Sequence, residues 1–213
     1  MAIEQEIKLA LPAAQIDAAR RFFDARAGAP GREIALVNVY FDTPALALAR
    51  AKSALRLRLA PQGWLQTFKT AGAAVGGLHR RHEWEMPVAG EALEIDALCA
   101  ACDVEQAADA LRVAAPGLIA LFRTDFSRTL WRIEHAGATI EAALDRGEIV
   151  APVDGDERRE PICEIELELV DGDAAALSSL AEAVAAALPG VAPDNLSKAQ
   201  RGYRLRGGEL RAD

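Results

Sequence analysis

Apolar and polar residues alternate along much of this chain, and a period of two predicts a protein built mainly from β-strands. The clearest case is Cys163–Leu169, where three glutamates share one face of the predicted strand and isoleucine and leucine form the other. The same pattern predicts further strands at Ile3–Leu9, Glu33–Asp42, Ala54–Leu59, Trp64–Thr70, Arg81–Met86, Leu118–Glu134 and Ala138–Asp145. The turn signal Pro61-Gln62-Gly63 separates two of these strands, which are therefore expected to pair as a hairpin.

Glycine-containing segments predict the main breaks between strands. Ala71–Leu78 is interpreted as a Gly/Ala loop, and it lacks the Gly-Lys-Ser/Thr ending of a phosphate-binding P-loop. Arg146-Gly147-Glu148 predicts a turn, after which Ile149 and Val150 extend the sheet. Ala151–Arg159 predicts a polar loop.

A smaller number of segments show helical periodicity with capping signals. They are Pro12–Ala27 followed by Gly28, one or two helices within Glu91–Ala115 (the second over Val104–Ala114), Ala174–Leu188 with Asp173 as N-cap, and a short capped turn at Ser197–Tyr203. Amphipathic helices need an apolar surface, which the apolar strand faces supply. With no repeat and no linker, we expect one domain over 1–206 and a frayed tail at 207–213.

Composition and charge limit the possible roles. The chain has 213 residues and a formal net charge of −8, which argues against a general nucleic-acid or membrane-surface role. Its aromatic content of 5% argues against stacking on bases. No apolar run reaches membrane-spanning length, and the strand pattern starts at Ile3, so no signal peptide is predicted. Three cysteines fit a reducing cytoplasm, and Cys99 with Cys102 is interpreted as a buried helix turn rather than a metal or redox motif.

Several predicted strands carry ionic residues along one complete face. The acidic positions are Glu4, Glu6, Glu83, Glu85, Glu141, Asp145, Glu164, Glu166 and Glu168. The basic positions are Lys8, Arg56, Arg58, Lys69, Arg81 and Arg128.

Alternation alone does not say which strand face points inward. In one arrangement, helices cover the apolar faces of a curved or closed sheet, and the ionic faces line a water-filled tunnel. In the other, the ionic faces point to solvent around an apolar barrel core. Segregation by sign, with Arg56 and Arg58 on one strand and three glutamates on another, favours the tunnel. Arginine forks match phosphate oxygens, and carboxylates hold hard cations such as Mg²⁺.

The N-terminal Glu4-x-Glu6-x-Lys8 resembles the signature of the CYTH superfamily, the triphosphate tunnel metalloenzymes. Further motifs follow in that family's order: Tyr40-Phe41-Asp42-Thr43-Pro44, Leu55-Arg56-Leu57-Arg58, Phe68-Lys69, Arg81-x-Glu83-x-Glu85, Thr124-Asp125-Phe126-x-Arg128, Ala143-Leu144-Asp145-x-Gly147, Glu164-x-Glu166-x-Glu168 and Ser197-Lys198-Ala199-x-Arg201-Gly202-Tyr203. Within the superfamily the chain is most similar to bacterial inorganic triphosphatases, through Gly76-Gly77-Leu78-His79 and Glu160-Pro161-Ile162-Cys163-Glu164. Many of those relatives carry a further C-terminal helical domain of the CHAD type. This chain stops at Asp213, so we expect either a stand-alone enzyme or an excised domain.

The resemblance implies an α+β fold in which a closed eight-stranded antiparallel β-barrel forms a tunnel with helices outside. It implies hydrolysis of inorganic triphosphate to pyrophosphate and phosphate with Mg²⁺ or Mn²⁺, and it implies catalytic roles for Glu4, Glu6 and Lys8. The implied triphosphate-binding residues are Lys8, Arg56, Arg58, Lys69, Arg128 and Lys198. The implied metal ligands are Glu4, Glu6, Asp145, Glu164 and Glu166. Tunnel residues with less defined roles are Arg81, Glu83, Glu85, Glu141, Glu168 and Arg201.

Other functions stay open on the sequence. One class comprises class IV adenylate cyclases and hydrolases of thiamine or nucleoside triphosphates, which need a base or ring pocket; no aromatic cluster in the sequence obviously supplies one. Another is a non-catalytic polyphosphate-binding module, which should lack the metal-holding carboxylates of this chain. At single residues, Arg201 is as readily a structural ion-pair partner as a phosphate ligand, and Asp42 is expected to cap a turn rather than to bind metal. The expected partner is a triphosphate-containing small molecule, not nucleic acid or a membrane.

Overall fold

The computed structural model of the chain describes residues 3–70 and 72–207. Its strands are β1 (Ile3–Ala10), β2 (Arg32–Asp42), β3 (Ser53–Ala60), β4 (Gly63–Thr70), β5 (Ala73–Val75), β6 (Leu78–Pro87), β7 (Ile119–His135), β8 (Ala138–Val153), β9 (Asp156–Asp171) and β10 (Ala192–Pro193). The tail expected at 207–213 lies outside the described residues, apart from Gly207, and the domain limits stay a prediction.

Eight of these strands close into an antiparallel barrel. Around the ring the order is β1-β9-β8-β7-β2-β3-β4-β6, and β6 pairs back with β1 to complete it. In the closing pair, Glu4 lies opposite Arg81 and Glu6 lies opposite His79. The short strands β5 and β10 are additions to β6 and β1. This is the closed barrel that the resemblance implies, and closure leaves the ring without an open edge.

Helices lie around the barrel and at one of its ends. They are α1 (Ile16–Ala27), α2 (Ala47–Arg50), α3 (Ile95–Ala101), α4 (Glu105–Ala114), α5 (Ala175–Ala187) and α6 (Lys198–Leu205). α1 and α5 cover one outer side of the barrel, where Phe23 and Leu180 are fully buried against the apolar faces of β1, β7, β8 and β9. α3 and α4 cover another side, where Leu111 packs near Phe68 of β4. The apolar strand faces in these two clusters therefore point outward into the helices.

α6 packs into one end of the barrel. Its capping box is complete, because the Ser197 side chain accepts a hydrogen bond from the Gln200 backbone N–H and the Gln200 side chain accepts one from Ser197 N–H. Tyr203 is buried in an apolar cluster that includes Phe122 and Phe126. The Lys198 ammonium lies 5.0 Å from the centroid of the Phe126 ring, so this cluster borders the ionic part of the lumen. The capped turn expected at Ser197–Tyr203 is confirmed.

Asp42 ties α6 to the barrel. Its carboxylate accepts hydrogen bonds from the backbone N–H groups of Thr43, Leu48 and Ala49, at 2.7 to 2.9 Å. The Tyr203 hydroxyl donates a further bond to the same carboxylate, at 3.2 Å. Asp42 thus caps the turn that precedes α2, as its sequence context predicted.

Two breaks predicted in the second half of the chain are wrong. Arg146-Gly147-Glu148 is not a turn, because β8 runs through it and Gly147 pairs with Phe126 on one side and Ile162 on the other. Glycine is needed there for close approach, since a Cβ at Gly147 would lie 2.1 Å from the Asp125 carbonyl oxygen. The loop expected at Ala151–Arg159 is also mostly strand, and β8 and β9 are joined by a tight turn at 154–155.

The remaining expectations agree with the structure more closely. Gly28 ends α1 in the left-handed conformation, with φ of 70°. The Glu91–Ala115 region forms two helices, with Cys99 and Cys102 buried at the end of the first. The Gly/Ala loop at Ala71–Leu78 contains the short strand β5, while Ala71 itself lies outside the described residues. Among the described residues, every helix is too short or too polar to span a bilayer.

Candidate functional site

β1 directs its ionic residues into the barrel. Glu6 and Lys8 are 3% and 1% exposed, although both side chains are ionisable. Ile7 and Leu9, on the opposite face of the strand, pack in the outer cluster under α1 and α5. Strand alternation therefore places the ionic face in the lumen, as the tunnel arrangement predicts.

Three carboxylates from β8 and β9 meet in the lumen. Asp145, Glu164 and Glu166 each present one oxygen, and these oxygens lie within 4.8 Å of one another. Asp145 and Glu164 are 0% and 1% exposed. We call these residues the acidic triad.

Cations from three elements surround the acidic triad. Lys8 Nζ of β1 lies 2.7 Å from Glu164 Oε1. Arg128 of β7 donates through Nε and Nη2 to both oxygens of Asp145, each at 2.7 Å, and also contacts Glu166. Lys198 at the start of α6 contacts all three carboxylates, at 2.5 to 2.8 Å.

The cations keep members of the acidic triad ionised. Burial opposes the charged form of Asp145, but Arg128 and Lys198 outweigh it, and the pKa of Asp145 falls below its ordinary value. Burial likewise opposes ionisation of Glu166, and Lys198, Arg128 and Lys8 together hold its pKa well below the ordinary value. Ionised carboxylates are the form that binds a metal ion.

A second ionic group lies toward the start of β1 and links this strand to side chains of β4 and β6. Arg81 donates through Nε to Glu4 at 2.7 Å and through Nη2 to Glu6. Lys69 of β4 lies 3.1 Å from Glu4 and also contacts Glu83. Burial raises the pKa of Glu4, but Lys69 and Arg81 outweigh burial and bring it well below its ordinary value. The pKa of Glu83 shifts in the opposite direction. Burial and the Glu4 carboxylate raise it, and they outweigh Lys69 and Arg56.

The two arginines of β3 have different surroundings. Arg56 Nη2 lies 3.3 Å from Glu85 and 3.6 Å from Glu83, and its Nε donates to the Thr67 hydroxyl. Arg58 donates through Nε to Asn38 Oδ1 at 2.7 Å. Both arginines thus lie on the lumen side of the sheet, but only Arg56 faces carboxylates at close range among the residues that the structure describes.

Comparison with known proteins agrees with this geometry. The CYTH domain family model matches residues 2–203. The chain belongs to the CYTH domain family. An inorganic triphosphatase from Haemophilus influenzae is 36% identical over 174 residues, which cover 80% of this CYTH chain and 46% of that relative. The chain therefore spans about half the length of the curated relative it matches.

Solved structures share the barrel of this CYTH domain. A Hippeastrum protein, proposed as an adenylyl cyclase and reported with a dominant triphosphatase activity, superposes with a TM-score of 0.64 at 22% identity, covering 98% of this chain and 97% of that one. A Bacillus halodurans protein proposed as an adenylate cyclase gives 0.58 at 18% identity, covering 93% and 96%. At such identities the likeness shows the fold alone.

The predicted site residues of the CYTH domain divide between the two ionic groups. Of the five predicted metal ligands, three form the acidic triad, whereas Glu4 and Glu6 belong to the second group with Arg81 and Lys69. Glu168 lies on the lumen face beyond Glu166 and opposite both Glu6 and Glu141. These placements leave the predicted roles as proposals.

Arg201 forms ion pairs between α6 and β9. Its Nε contacts Glu160 at 2.7 Å and its Nη1 contacts Glu164 at 2.9 Å. Arg201 therefore holds Glu164, a member of the acidic triad. Of the two roles considered for it, this geometry favours a structural ion pair over contact with phosphate.

The predicted site residues omit several buried polar residues of the lumen, Asn38 and Thr124 among them. Asn38 and Thr124 are 1% and 0% exposed, and they lie opposite each other on β2 and β7. A signal was available, because Asn38 interrupts a run of β-branched and apolar residues at a lumen position. Its meaning depends on Arg58, which lies opposite Asn38 on β3 and twenty positions away in sequence.

Proposed function

We propose that this CYTH domain hydrolyses inorganic triphosphate to pyrophosphate and phosphate inside its tunnel, with Mg²⁺ or Mn²⁺ as cofactor. The observation that carries the proposal is a concentration of cations in the lumen of a chain whose net charge is −8. The proposed phosphate-binding residues are Lys8, Arg56, Arg58, Lys69, Arg128 and Lys198. A row of three phosphates carries enough negative oxygens to contact several of them at once. The activities named for the Haemophilus and Hippeastrum proteins support the same reaction.

The arginines and lysines have complementary tasks in this proposal. Arg56, Arg58 and Arg128 offer planar forks that fit two phosphate oxygens, and so they would fix the orientation of the chain of phosphates. Lys8 and Lys69 would add point charges that offset the charge of the phosphoryl group. Phosphoryl transfer needs chiefly positioning and charge stabilisation, which such a lumen can supply.

The acidic triad fits a hard divalent cation. Its oxygens lie within 4.8 Å of one another, and carboxylate oxygen is the ligand that Mg²⁺ and Mn²⁺ prefer. When bound, such an ion polarises a phosphoryl oxygen and lowers the pKa of a coordinated water. Glu4 and Glu6 remain proposed as further ligands and, with Lys8, as catalytic residues.

The test is a substrate panel on the purified chain. Phosphate release is measured from tripolyphosphate, ATP and thiamine triphosphate, with Mg²⁺, with Mn²⁺ and with excess EDTA, alongside a cyclic-AMP assay. We expect tripolyphosphate to be hydrolysed fastest and EDTA to abolish the activity. Cyclic-AMP formation faster than tripolyphosphate hydrolysis would instead assign a cyclase. Tight binding of tripolyphosphate without phosphate release under any metal would assign a binding module.

A further inference from the structure

Arg58 differs from the other arginines of the lumen in the charge of its partner. Arg56, Arg81 and Arg128 approach carboxylates at 3.3, 2.7 and 2.7 Å. Arg58 Nε instead donates to the neutral amide of Asn38 at 2.7 Å, and within residues 3–70 and 72–207 no ion pair includes it. One guanidinium of the lumen is therefore held in place without being neutralised.

The surroundings of Arg58 disfavour its charge. Burial, Arg56 and Arg128 lower the pKa of Arg58 to about 9, and Glu85 and Tyr40 offset only part of this. An anion placed beside the guanidinium would reverse the effect, because opposite charge favours the ionised form. The hydrogen bond to a neutral partner and the neighbouring positive charges both indicate that a bound anion would favour the charged form of Arg58.

Asn38 is itself held firmly. Its Nδ2 donates to the Thr124 hydroxyl at 2.9 Å, which leaves Oδ1 directed at Arg58. Asn38 lies directly opposite Thr124 on one neighbouring strand and directly opposite Arg58 on the other. An amide has both the acceptor and the donor that this position requires. A carboxylate could accept from Arg58 equally well, but it would also neutralise it.

We propose that Asn38 is a positioning residue for the anionic substrate: it orients the Arg58 guanidinium while leaving its charge free for phosphate. This inference rests on the proposed function and deepens it, since it names a residue that sets the preference for highly charged anions. The Nη groups of Arg58 are the atoms that would contact phosphate. Asn38 acts only through Arg58.

The test compares two asparagine-to-aspartate changes. Asn38→Asp keeps the acceptor for Arg58, and the Thr124 hydroxyl can turn to donate to the new carboxylate. Asn195→Asp is the matched control, because exposed Asn195 also uses Oδ1 as an acceptor, from Gly77 N–H at 2.8 Å.

Binding of tripolyphosphate without divalent metal is measured by calorimetry, and melting temperature is measured without ligand. We expect Asn38→Asp to raise Kd by at least about tenfold with an unchanged or higher melting temperature, because it neutralises Arg58. The control should change Kd by less than about twofold.

A mutant cycle separates positioning from a purely structural role. Asn38→Ala should raise Kd, but in an Arg58→Ala background the same change should have no further effect, because Asn38 acts through Arg58. Equal effects of Asn38→Ala in both backgrounds would overturn the inference. A Kd for Asn38→Asp within about twofold of the parent would also overturn it, since a negative charge beside a phosphate-binding arginine must weaken binding of the anion. If the parent itself fails to bind tripolyphosphate and also releases no phosphate from it with Mg²⁺ or Mn²⁺, the proposed function falls and this inference falls with it.

Discussion

Carboxylates of the lumen repel one another as well as attract cations, and at Glu168 the repulsion outweighs the attraction. Burial and the neighbouring Glu4, Glu6 and Glu83 raise the pKa of Glu168 to about 7, although Lys69 acts in the opposite direction. The folded state therefore favours protonated Glu168. Its contribution to stability is fully present below the ordinary value of 4.5 and is lost as the pH rises through about 7.

Replacing Glu168 by glutamine should therefore stabilise the metal-free protein at pH 8 but not at pH 4.5. The expected gain is on the order of 1–2 kcal/mol, less than the full shift because the residue is partly exposed to solvent. Melting temperatures in EDTA at the two pH values measure it. Glu182→Gln on the exposed face of α5 is the control. A gain from Glu168→Gln that is the same at both pH values would contradict the crowding of carboxylates.

At the scale of elements, α6 joins the barrel end to the acidic triad. Lys198 at its first turn contacts the triad, and Gly202 and Tyr203 lie one turn later against the apolar cluster inside the barrel. The absence of a side chain at Gly202 permits this packing, since a Cβ there would lie 2.1 Å from a ring carbon of Phe122. Displacement of the helix should therefore move Lys198.

Gly202→Ala tests this connection. Alanine would stabilise an isolated helix by up to about 1 kcal/mol, but a forced overlap in a packed core costs about 1–3 kcal/mol. We expect the overlap to win, so the melting temperature falls and triphosphate hydrolysis falls with it. Arg204→Ala is the control on the same helix, because its side chain is 62% exposed. A variant with higher stability and parental activity would show that α6 tolerates the side chain and that its packing does not position Lys198.

The same scale shows where local patterns mislead. Arg146-Gly147-Glu148 has turn composition, but Gly147 serves a close approach of β7 to β8 that no local pattern records. The short strands β5 and β10 are equally invisible locally, because they exist only as partners of β6 and β1. By contrast, α1 and α6 carry their own start or stop signals, and sequence predicted them to within a few residues.

For the whole molecule, alternation establishes which residues share a face but not which face is inside. That choice depends on barrel closure between β1 and β6 and on helices covering the Ile and Leu faces, which are non-local facts. Motif order predicted the charged residues of the lumen, whereas their partition into two groups depends on register. The role of Asn38 could not be predicted, because it depends on a hydrogen bond from Arg58 on the neighbouring strand.

The central claim is that the charged lumen is a site for a chain of three phosphates. Its most direct test is the melting temperature of the metal-free protein with orthophosphate, pyrophosphate or tripolyphosphate at equal concentration. Longer anions reach more of the lumen cations, so the melting temperature should rise in that order. Tripolyphosphate at 100 times its Kd should add about 2.7 kcal/mol, or roughly 5–10 °C for a domain of this size. Equal shifts for all three anions would indicate generic screening of charge and would contradict the tunnel as a triphosphate site.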